Sequence, residues 1–272
     1  MTNPLVDSHI HVACADCSRH PRRPTGVGSQ WWMGPDGDSD TVIADVRASG
    51  VTSAVVVQAV GAYGFDSSCA ASVVAANAGW ARLLPALDLS QPQPSLEGLA
   101  AEAPIVGVRL FGVADGAPWL DDERADIVWS SAASLGVPIV ATVFTDRLPA
   151  LQAVMARHRD VAVVLDHCAF PDMAGPSGEA ALMELAAVEE VRLKVTTHVL
   201  AAWDAEARLE QMVTRLAAGF GAHRLCWGSD HPQHQGLTHQ HKLDLARRAT
   251  RNLSTAEQHD FFAGTATALG WA

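Results

Sequence analysis

The fold of this chain is decided by LVDSHIHV, residues 5–12, taken together with RLCWGSDHP, residues 224–232. Each is a short apolar run that ends in polar side chains, as a buried parallel strand does at the functional edge of a sheet. His9 and His11 close the first run, and Asp230 closes the second. Because the strands of a parallel barrel end at one face, residues this far apart in sequence are expected to meet there.

Six further apolar runs lie between these two, and segments of helical character separate them, so strand and helix candidates alternate. Dividing the 272 residues among eight strands gives about 34 for each, close to the roughly 30 or more that a strand, a helix and their loops occupy. We therefore predict an α/β fold in which residues 1–272 form a single, distorted (β/α)8 TIM barrel. A dinucleotide-binding sheet is not favoured, because no GxGxxG follows the first strand. The eight predicted strands are 5–12, 52–60, 81–89, 105–112, 138–144, 162–169, 192–199 and 224–231.

The predicted helices carry their own boundary signals. A glycine follows each of three helical segments, where it can take the left-handed conformation that ends a helix. Near the end of the chain, Ser254 and Glu257 have the spacing of a capping box, which predicts a helix that runs from there towards Leu269. The three segments and their glycines are 40–49 with Gly50, 67–78 with Gly79, and 121–135 with Gly136.

One segment, residues 18–40, is too rich in proline and glycine for a helix or a strand. We expect a long loop between the first strand and the first helix, over about residues 13–40. In a barrel this loop covers the functional face, and Trp31 and Trp32 are predicted to form a wall of the pocket there. The arginines of the loop either attract an anion or lie solvated on the surface: Arg19, Arg22 and Arg23.

The acidic composition restricts the kind of partner. A formal net charge of −11 and a pI near 5.4 argue against binding to nucleic acid or to an anionic membrane surface, so a small-molecule partner is expected. No apolar run approaches the roughly 20 residues of a membrane span, and the first residues lack the features of a signal peptide. We expect a soluble, cytoplasmic protein, and the sequence leaves open whether it is a monomer or a homo-oligomer.

Cysteine usage predicts reduced thiols rather than a disulfide framework, since the cysteines are odd in number and scattered through a long chain. Cys14 and Cys17 form one CxxC, but no second CxxC completes a four-ligand structural zinc site. We interpret this pair as packing or loop cysteines. The full set is Cys14, Cys17, Cys69, Cys168 and Cys226.

Polar side chains recur where the predicted strands end, at positions that a core would fill with valine or leucine. Alternation along a strand turns His9 and His11 to one face together with Asp7, and two imidazoles so placed can bind a divalent metal at roughly 2.0–2.1 Å. Buried charge is costly without a partner, so one shared polar site is favoured over separate accidents. The further strand-end residues are Arg109, Thr142, Asp166, His167, His198 and Asp230.

Three motifs make a family resemblance specific: LVDSHIHV in the first unit, LDHCAFP in the sixth and WGSDHP in the eighth. With VVVQAVGAYGFDSS, GVRL and FAGTATALG they extend over nearly the whole chain. The chain resembles the amidohydrolase superfamily, in particular its amidohydrolase-2 branch, which includes pyrone-dicarboxylate lactonases, fuconolactonases and sulfomuconolactone hydrolases. The resemblance implies a hydrolytic site in which Asp230 and His167 are catalytic. It also implies one divalent metal, with zinc as the first candidate, held by His9, His11, His167 and Asp230.

Two departures from the family pattern bear on the site. Metal-dependent members usually supply a lysine or histidine from strand four or five, whereas this chain has Arg109 and Thr142 there. Catalysis without a metal, in which His9 and His11 orient the substrate by hydrogen bonds, is therefore the alternative. The second departure is Thr265 in FAGTA, where the family often has asparagine, and we expect only local structural consequences.

The leading hypothesis from the sequence is a hydrolase that opens a small, carboxylated lactone or related ester. Asp230 would accept a proton from the attacking water and later return one to the leaving alkoxide. Arg109 is predicted to bind the substrate carboxylate, with a structural ion pair as the alternative, and Tyr63 and His198 are predicted as further substrate contacts. A metal-dependent non-oxidative decarboxylase of the same branch is one alternative function, and a non-catalytic ligand-binding barrel is an alternative of a different class. Four histidines after the last strand are interpreted as surface residues: His231, His234, His239 and His241.

Overall fold

The computed structural model describes residues 4–16, 18–34, 37–89, 96–113 and 117–272 of the chain. Each of the eight predicted strand segments overlaps an observed strand. The third segment holds two short strands separated by Pro85, which has no N–H to donate to a neighbouring strand. The strands are β1 Val6–Ile10, β2 Ser53–Val57, β3 Ala81–Leu84, β4 Ala86–Leu87, β5 Val108–Phe111, β6 Ile139–Thr142, β7 Val163–Leu165, β8 Val191–Thr196 and β9 Leu225–Gly228.

All paired strands are parallel, in the order β1-β2-β3 and β4-β5-β6-β7-β8-β9. The first and last strands meet at their carboxyl ends, where Ile10 and His231 form a parallel bridge. Beside it, the Asp230 N–H donates to the His9 carbonyl at 2.8 Å. The strands thus form the distorted barrel that the sequence predicts, and the two key stretches of sequence lie side by side in it.

The helices begin and end close to the predicted signals. The capping box is confirmed, because Ser254 Oγ accepts from the Glu257 N–H while the Glu257 carboxylate accepts from the Ser254 N–H at 2.8 Å. A π-helical turn over Asp260–Gly264 then leads into the last helix. No helix in the described part of the chain is long and apolar enough to cross a membrane. The helices are α1 Ser39–Ala48, α2 Val60–Tyr63, α3 Ser68–Ala76, α4 Leu96–Glu102, α5 Arg124–Leu135, α6 Leu148–Met155, α7 Gly175–Glu184, α8 Thr197–Ala205, α9 Leu209–Phe220, α10 His239–Ala249, α11 Thr255–His259 and α12 Thr265–Ala268.

The amino-terminal end of the barrel is filled by apolar side chains and closed by the end of the chain. Valines from several strands, among them Val6, Val55 and Val140, are buried there in one cluster with Trp271. The Trp271 indole N–H donates to the Val106 carbonyl at 2.8 Å. Because this end is packed and apolar, a polar site is left to the opposite end, where the strands terminate.

A β-bulge in β1 decides which of its side chains face into the barrel. The pairing with β2 shifts register between Asp7 and Ile10, and such an extra residue reverses the alternation of side chains beyond it. The prediction that Asp7 shares the face of His9 and His11 is therefore wrong. The Asp7 carboxylate instead lies 2.9 Å from the His239 ring of α10, in the outer layer.

The structure joins Cys14 and Cys69 in a disulfide, so the prediction of reduced thiols is wrong for this pair. The fold brings the loop after β1 against α3, and this contact spans 55 residues of sequence that spacing alone does not pair. Cys168 and Cys226 are buried free thiols, as expected. Cys17 lies outside the described residues, so the interpretation of the CxxC pair as packing or loop cysteines stays a prediction.

Candidate active site

The ends of β1 and β9 bring three of the predicted site residues together. The Nε2 atoms of His9 and His11 lie 3.1 Å apart. Asp230 Oδ1 lies 3.7 Å from the His9 nitrogen and 3.4 Å from the His11 nitrogen. All three side chains are buried, so the site is a compact polar cluster inside an apolar barrel.

The surroundings of the two imidazoles decide which ring nitrogens carry a proton. His11 Nδ1 lies 2.9 Å from the Val57 carbonyl oxygen, which can only accept, so Nδ1 carries a proton and Nε2 is the nitrogen that faces His9 and Asp230. His9 Nδ1 faces the Asp166 carboxylate at 3.4 Å, which places its proton on Nδ1 for the same reason. The two Nε2 atoms then face each other at 3.1 Å beside the Asp230 carboxylate. This arrangement fits a cation between them.

The candidate metal ligands fall into two overlapping groups. His9, His11 and Asp230 offer ligand atoms that all lie within 4.8 Å of one another, and His9, Asp166 and His167 do the same. The structure therefore brings three of the four predicted ligands into one group, while His167 belongs to the second. Two imidazoles and a carboxylate form a donor set that suits a divalent metal such as zinc.

His167 reaches the site from a strained backbone segment. Residues 167–170 all have positive φ values, between 52 and 61°, a conformation that costs non-glycine residues roughly 1–3 kcal/mol each. This segment turns the rings of both His167 and Phe170 into the cavity, with centroids 4.7 Å apart. His167 Nδ1 lies 2.7 Å from the Thr196 hydroxyl at the end of β8. Burial lowers the pKa of His167 to about 4, so its ring is neutral at neutral pH.

Asp166, which precedes His167, is the centre of a buried ion cluster. Its Oδ1 lies 2.8 Å from the Lys194 ammonium, and its Oδ2 accepts from Arg109 Nε at 2.7 Å. The Thr142 hydroxyl donates to the same Oδ2 at 2.9 Å. The sequence analysis missed Lys194, although a lysine in the middle of an apolar barrel strand is itself a signal that a buried partner exists.

The ion cluster fixes the charge of its members. Burial works to raise the pKa of Asp166, but Lys194 and Arg109 hold it well below its usual range, so the carboxylate is ionised. Burial, together with the charge of Lys194, lowers the pKa of His9 well below its usual value. A neutral His9 ring oriented by an ionised carboxylate is the form of histidine that binds metals.

Arg109 belongs both to this cluster and to the cavity. Its Nε contacts Asp166 and Thr142, which confirms the structural ion pair that the sequence left as the alternative. Its guanidinium also lies over the Phe111 ring, 4.9 Å from the centroid, and the side chain lines the cavity. Binding of a substrate carboxylate by Arg109 stays a prediction.

Asp230 is ionised in this site. Burial works to raise its pKa, but contacts with His11, His167 and His9 outweigh this effect and hold the pKa well below its usual range. Its backbone has a φ of 52°, in the left-handed region. The Lys242 ammonium donates to the Asp230 carbonyl at 3.4 Å from the outer side of the barrel. The residue is thus held at several points while its carboxylate lines the cavity.

A cavity of about 450 Å³ opens above these residues, where the strands end. Trp31 and Trp32 line it, as predicted, and the Trp31 ring stacks on the His11 ring with centroids 5.8 Å apart. The arginines of the same loop are not among the lining residues: Arg19 and Arg23 are exposed, as the solvated alternative expects, and Arg22 is half-buried.

The two further predicted substrate contacts lie in different places. His198 lines the cavity, with its Nε2 3.2 Å from the Asp172 carboxylate. Burial works to lower the pKa of His198, but Asp172 raises it above the usual value. Tyr63 is buried away from the cavity lining, and its hydroxyl accepts from the Cys14 N–H at 2.9 Å. The structure therefore places His198 at the cavity, whereas Tyr63 stabilises the loop after β1.

The interpretation of the later histidines as surface residues is wrong for three of the four. His231 and His239 are buried, and His234 lines the cavity with its Nε2 3.8 Å from the Asp230 carboxylate. His241 is exposed. The reason is that the chain after β9 folds back against the end of β1 before α10 begins, a path that local sequence does not reveal.

Comparison with known proteins gives a consistent result. A family model described as Amidohydrolase matches residues 6–269. An L-fucono-1,5-lactonase of Burkholderia ambifaria is 32% identical over 200 residues, which cover 68% of this chain and 66% of that enzyme, just under two thirds of its length. An L-fucono-1,5-lactonase of Burkholderia multivorans is 29% identical over an alignment of 290 positions that covers 96% of this chain and 94% of that enzyme.

Solved structures share the architecture. A crystal structure of an amidohydrolase from Burkholderia multivorans, with zinc bound, matches this chain with a TM-score of 0.77 at 24% identity. The match covers 99% of this chain and 100% of that one. At this identity the likeness establishes the barrel fold over the full length.

Proposed function

Because the chain belongs to the amidohydrolase family, we propose that it is a hydrolase that opens a small lactone or related ester carrying a carboxylate. The observation that carries the proposal is the meeting of ionised Asp230 with the Nε2 atoms of His9 and His11 at the base of the cavity. The similarity to two proteins named as L-fucono-1,5-lactonases supports the cyclic ester as the bond that is cleaved.

Asp230 handles the proton in this proposal. Its carboxylate is ionised and lines the cavity, so it accepts a proton from a water molecule that attacks the ester carbonyl. The resulting acid then donates a proton to the alkoxide oxygen that leaves as the ring opens. One carboxyl group serves both steps, because it takes one proton from water and gives one proton to the leaving oxygen, and so returns to its ionised form.

His167 stabilises the negative charge that develops on the carbonyl oxygen. Its Nδ1 is held by the Thr196 hydroxyl, so Nε2 is the nitrogen left for the substrate. With the Thr196 hydroxyl as donor, Nε2 carries the proton of the neutral ring and donates it in a hydrogen bond to the oxyanion.

One divalent metal, with zinc as the proposed ion, fits the residues present. His9, His11 and Asp230 would hold it through ligand atoms that already face one another. His167 would be a fourth ligand only with the proton on Nδ1 and the lone pair on Nε2, in place of its hydrogen bond to the oxyanion. A bound zinc ion supplies Lewis acidity, which polarises the carbonyl and lowers the pKa of the attacking water. Asp166 keeps the proton of His9 on Nδ1 and so leaves Nε2 free.

The charge of the ion cluster supports an anionic substituent on the substrate. Arg109 and Lys194 share the single carboxylate of Asp166, so this cluster has a net positive charge when His9 is neutral. Arg109, a member of this cluster, lines the cavity. Its planar guanidinium matches the two oxygens of a carboxylate.

A panel of carboxylated and uncharged lactones, assayed with the protein as purified and again after chelation, tests activity and metal together. Ring opening releases an acid, so a pH indicator follows the reaction above its spontaneous rate. We expect turnover that is lost on chelation and restored by zinc. Failure to open any lactone would contradict the hydrolase, and unchanged turnover after chelation would contradict the metal. Release of CO₂ from a carboxylated substrate would favour the decarboxylase instead.

We propose the cytoplasm as the compartment of this protein. Disulfides are rare there, so the disulfide between Cys14 and Cys69 is the one observation that favours a compartment outside the cytoplasm. Cell fractionation with antibody detection tests it, and recovery of the protein in an extracytoplasmic fraction would contradict it.

A further inference from the structure

We propose that the substrate has an apolar, aromatic body rather than a hydroxylated one, a refinement that rests on the proposed lactone hydrolysis. The walls of the cavity carry this inference. Phe111, Phe144 and Phe170 come from the ends of three adjacent strands, β5, β6 and β7. Met173 follows them at the rim, where it is 65% exposed. We call these four residues the apolar arc.

The apolar arc borders both ends of the proposed substrate position. The Phe170 ring lies 4.7 Å from the His167 ring and 5.3 Å from the Phe144 ring, measured between centroids. Phe111 lies under the Arg109 guanidinium. The arc therefore touches both the group proposed to meet the carbonyl oxygen and the group proposed to meet the carboxylate. A substrate held by those two groups has its body against the arc.

The strained backbone at Phe170 also supports an apolar substrate body. Phe170 has a φ of 55°, which a phenylalanine adopts only at a cost that the surrounding structure must offset. The result of this conformation is a ring inside the cavity, between the His167 ring and the His198 ring at 5.2 Å. Strain held at such a position is typical of a ligand-contacting residue.

The side of the cavity near β1 and β2 is apolar as well. It consists of Trp31 and Trp32 from the long loop, together with Val27, Ala59 and Val60. The two indoles are each only 3% exposed, so they are packed into the wall. A flat aromatic group would lie between this wall and the apolar arc, in contact with apolar surface on both faces.

Among the described residues, the polar side chains that line the cavity leave little for substrate hydroxyls to bind. Several are already engaged with protein partners, and the rest gather around the reaction centre. A hydroxyl placed against the apolar arc would lose its hydrogen bonds to water without replacement, which is unfavourable. The engaged groups are Thr142 with Asp166, His198 with Asp172, and Gln233 Oε1 with Ser29, while Arg109 is the group proposed for the substrate carboxylate. The groups at the reaction centre are His11, His167, His234 and Asp230.

Three six-membered lactones without a carboxylate test the inference independently of Arg109. Dihydrocoumarin carries a fused benzene ring, L-fucono-1,5-lactone carries hydroxyls, and δ-valerolactone carries neither. With each kcat/KM divided by the spontaneous hydrolysis rate, we expect dihydrocoumarin to exceed L-fucono-1,5-lactone by about 100-fold. Equal values, or a preference for L-fucono-1,5-lactone, would overturn the inference.

Variants locate the preference in the arc. Phe144→Asn should lower kcat/KM for dihydrocoumarin about tenfold, mainly through KM, and change that for δ-valerolactone by less than about twofold. Phe65→Asn is the matched control, because Phe65 is a half-buried phenylalanine that lines a different pocket. Equal losses on both lactones in Phe144→Asn would assign Phe144 to the fold and overturn its role in selectivity.

A binding measurement separates this inference from the proposed function. If no lactone is opened, the hydrolase fails, and calorimetry with the two ring-opened acids still decides the substrate class. Tighter binding of 3-(2-hydroxyphenyl)propionate than of L-fuconate would uphold an aromatic body. Equal binding, or tighter binding of L-fuconate, would overturn it.

Discussion

The Lys194 ammonium lies 2.8 Å from the Asp166 carboxylate, and neither side chain is exposed to solvent. Arg109 contacts the other oxygen of the same carboxylate, and His9 faces the first at 3.4 Å. The cluster therefore links β1, β5 and β8 to the end of β7. It couples the stability of the barrel to the orientation of a histidine in the candidate active site.

Removal of the central carboxylate should destabilise the protein strongly. We expect Asp166→Asn to lower the free energy of unfolding by about 3–5 kcal/mol, because it leaves two buried cations without an anion. Urea unfolding followed by circular dichroism measures this.

The matched control is Asp126→Asn, which breaks partly exposed pairs with Arg157 and His158. It should cost at most about 1 kcal/mol. Similar small losses in both variants would show that the cluster does not stabilise the barrel.

Loss of the cavity cation should affect charged substrates selectively. Arg109→Met is expected to raise KM for carboxylated lactones far more than for uncharged esters, because only the former lose a charge-assisted hydrogen bond. Since Arg109 also holds Asp166, the assays belong at a temperature where circular dichroism shows the variant folded. Arg109→Lys keeps the charge but not the planar guanidinium, so its KM for carboxylated lactones should lie between those of the wild type and Arg109→Met. Equal effects on both substrate classes would remove Arg109 from carboxylate binding.

The disulfide should contribute measurable stability. Cys14 and Cys69 close a loop of 55 residues, and a crosslink of this span typically adds about 2–4 kcal/mol by restricting the unfolded chain. Reduction should therefore lower the Tm of the wild type. A Cys14→Ser, Cys69→Ser double variant should have a lower Tm from the outset, and the reductant should not change it. Mass spectrometry after alkylation without reduction provides the check. Alkylation of both cysteines would contradict the pairing.

The barrel and the meeting of His9, His11 and Asp230 could be predicted because they depend on local patterns. Eight apolar runs at regular spacing specify the strands, and the polar residues that close them specify the face where they meet. His9, His11 and Asp230 follow from this rule alone. Trp31 and Trp32 follow from the length of the loop that carries them.

The remaining features depend on tertiary contacts that no local pattern encodes. The bulge that turns Asp7 away from His9 depends on how β1 pairs with β2. The pairing of Lys194 with Asp166 depends on the neighbourhood of β7 and β8. The disulfide at Cys14 depends on how the loop after β1 packs against α3. In each case the partner lies far along the chain, so its identity became visible only in the folded structure.

The most direct test of the central claim is the turnover of Asp230→Asn. The substitution keeps the shape of the side chain but removes its charge and its capacity to accept a proton. Asp244→Asn, on the exposed face of α10, is the matched control. With the variant shown to be folded by circular dichroism, the account predicts that kcat on a lactone falls by about 10²–10⁴-fold, while Asp244→Asn keeps wild-type activity. Full activity in folded Asp230→Asn would contradict the account.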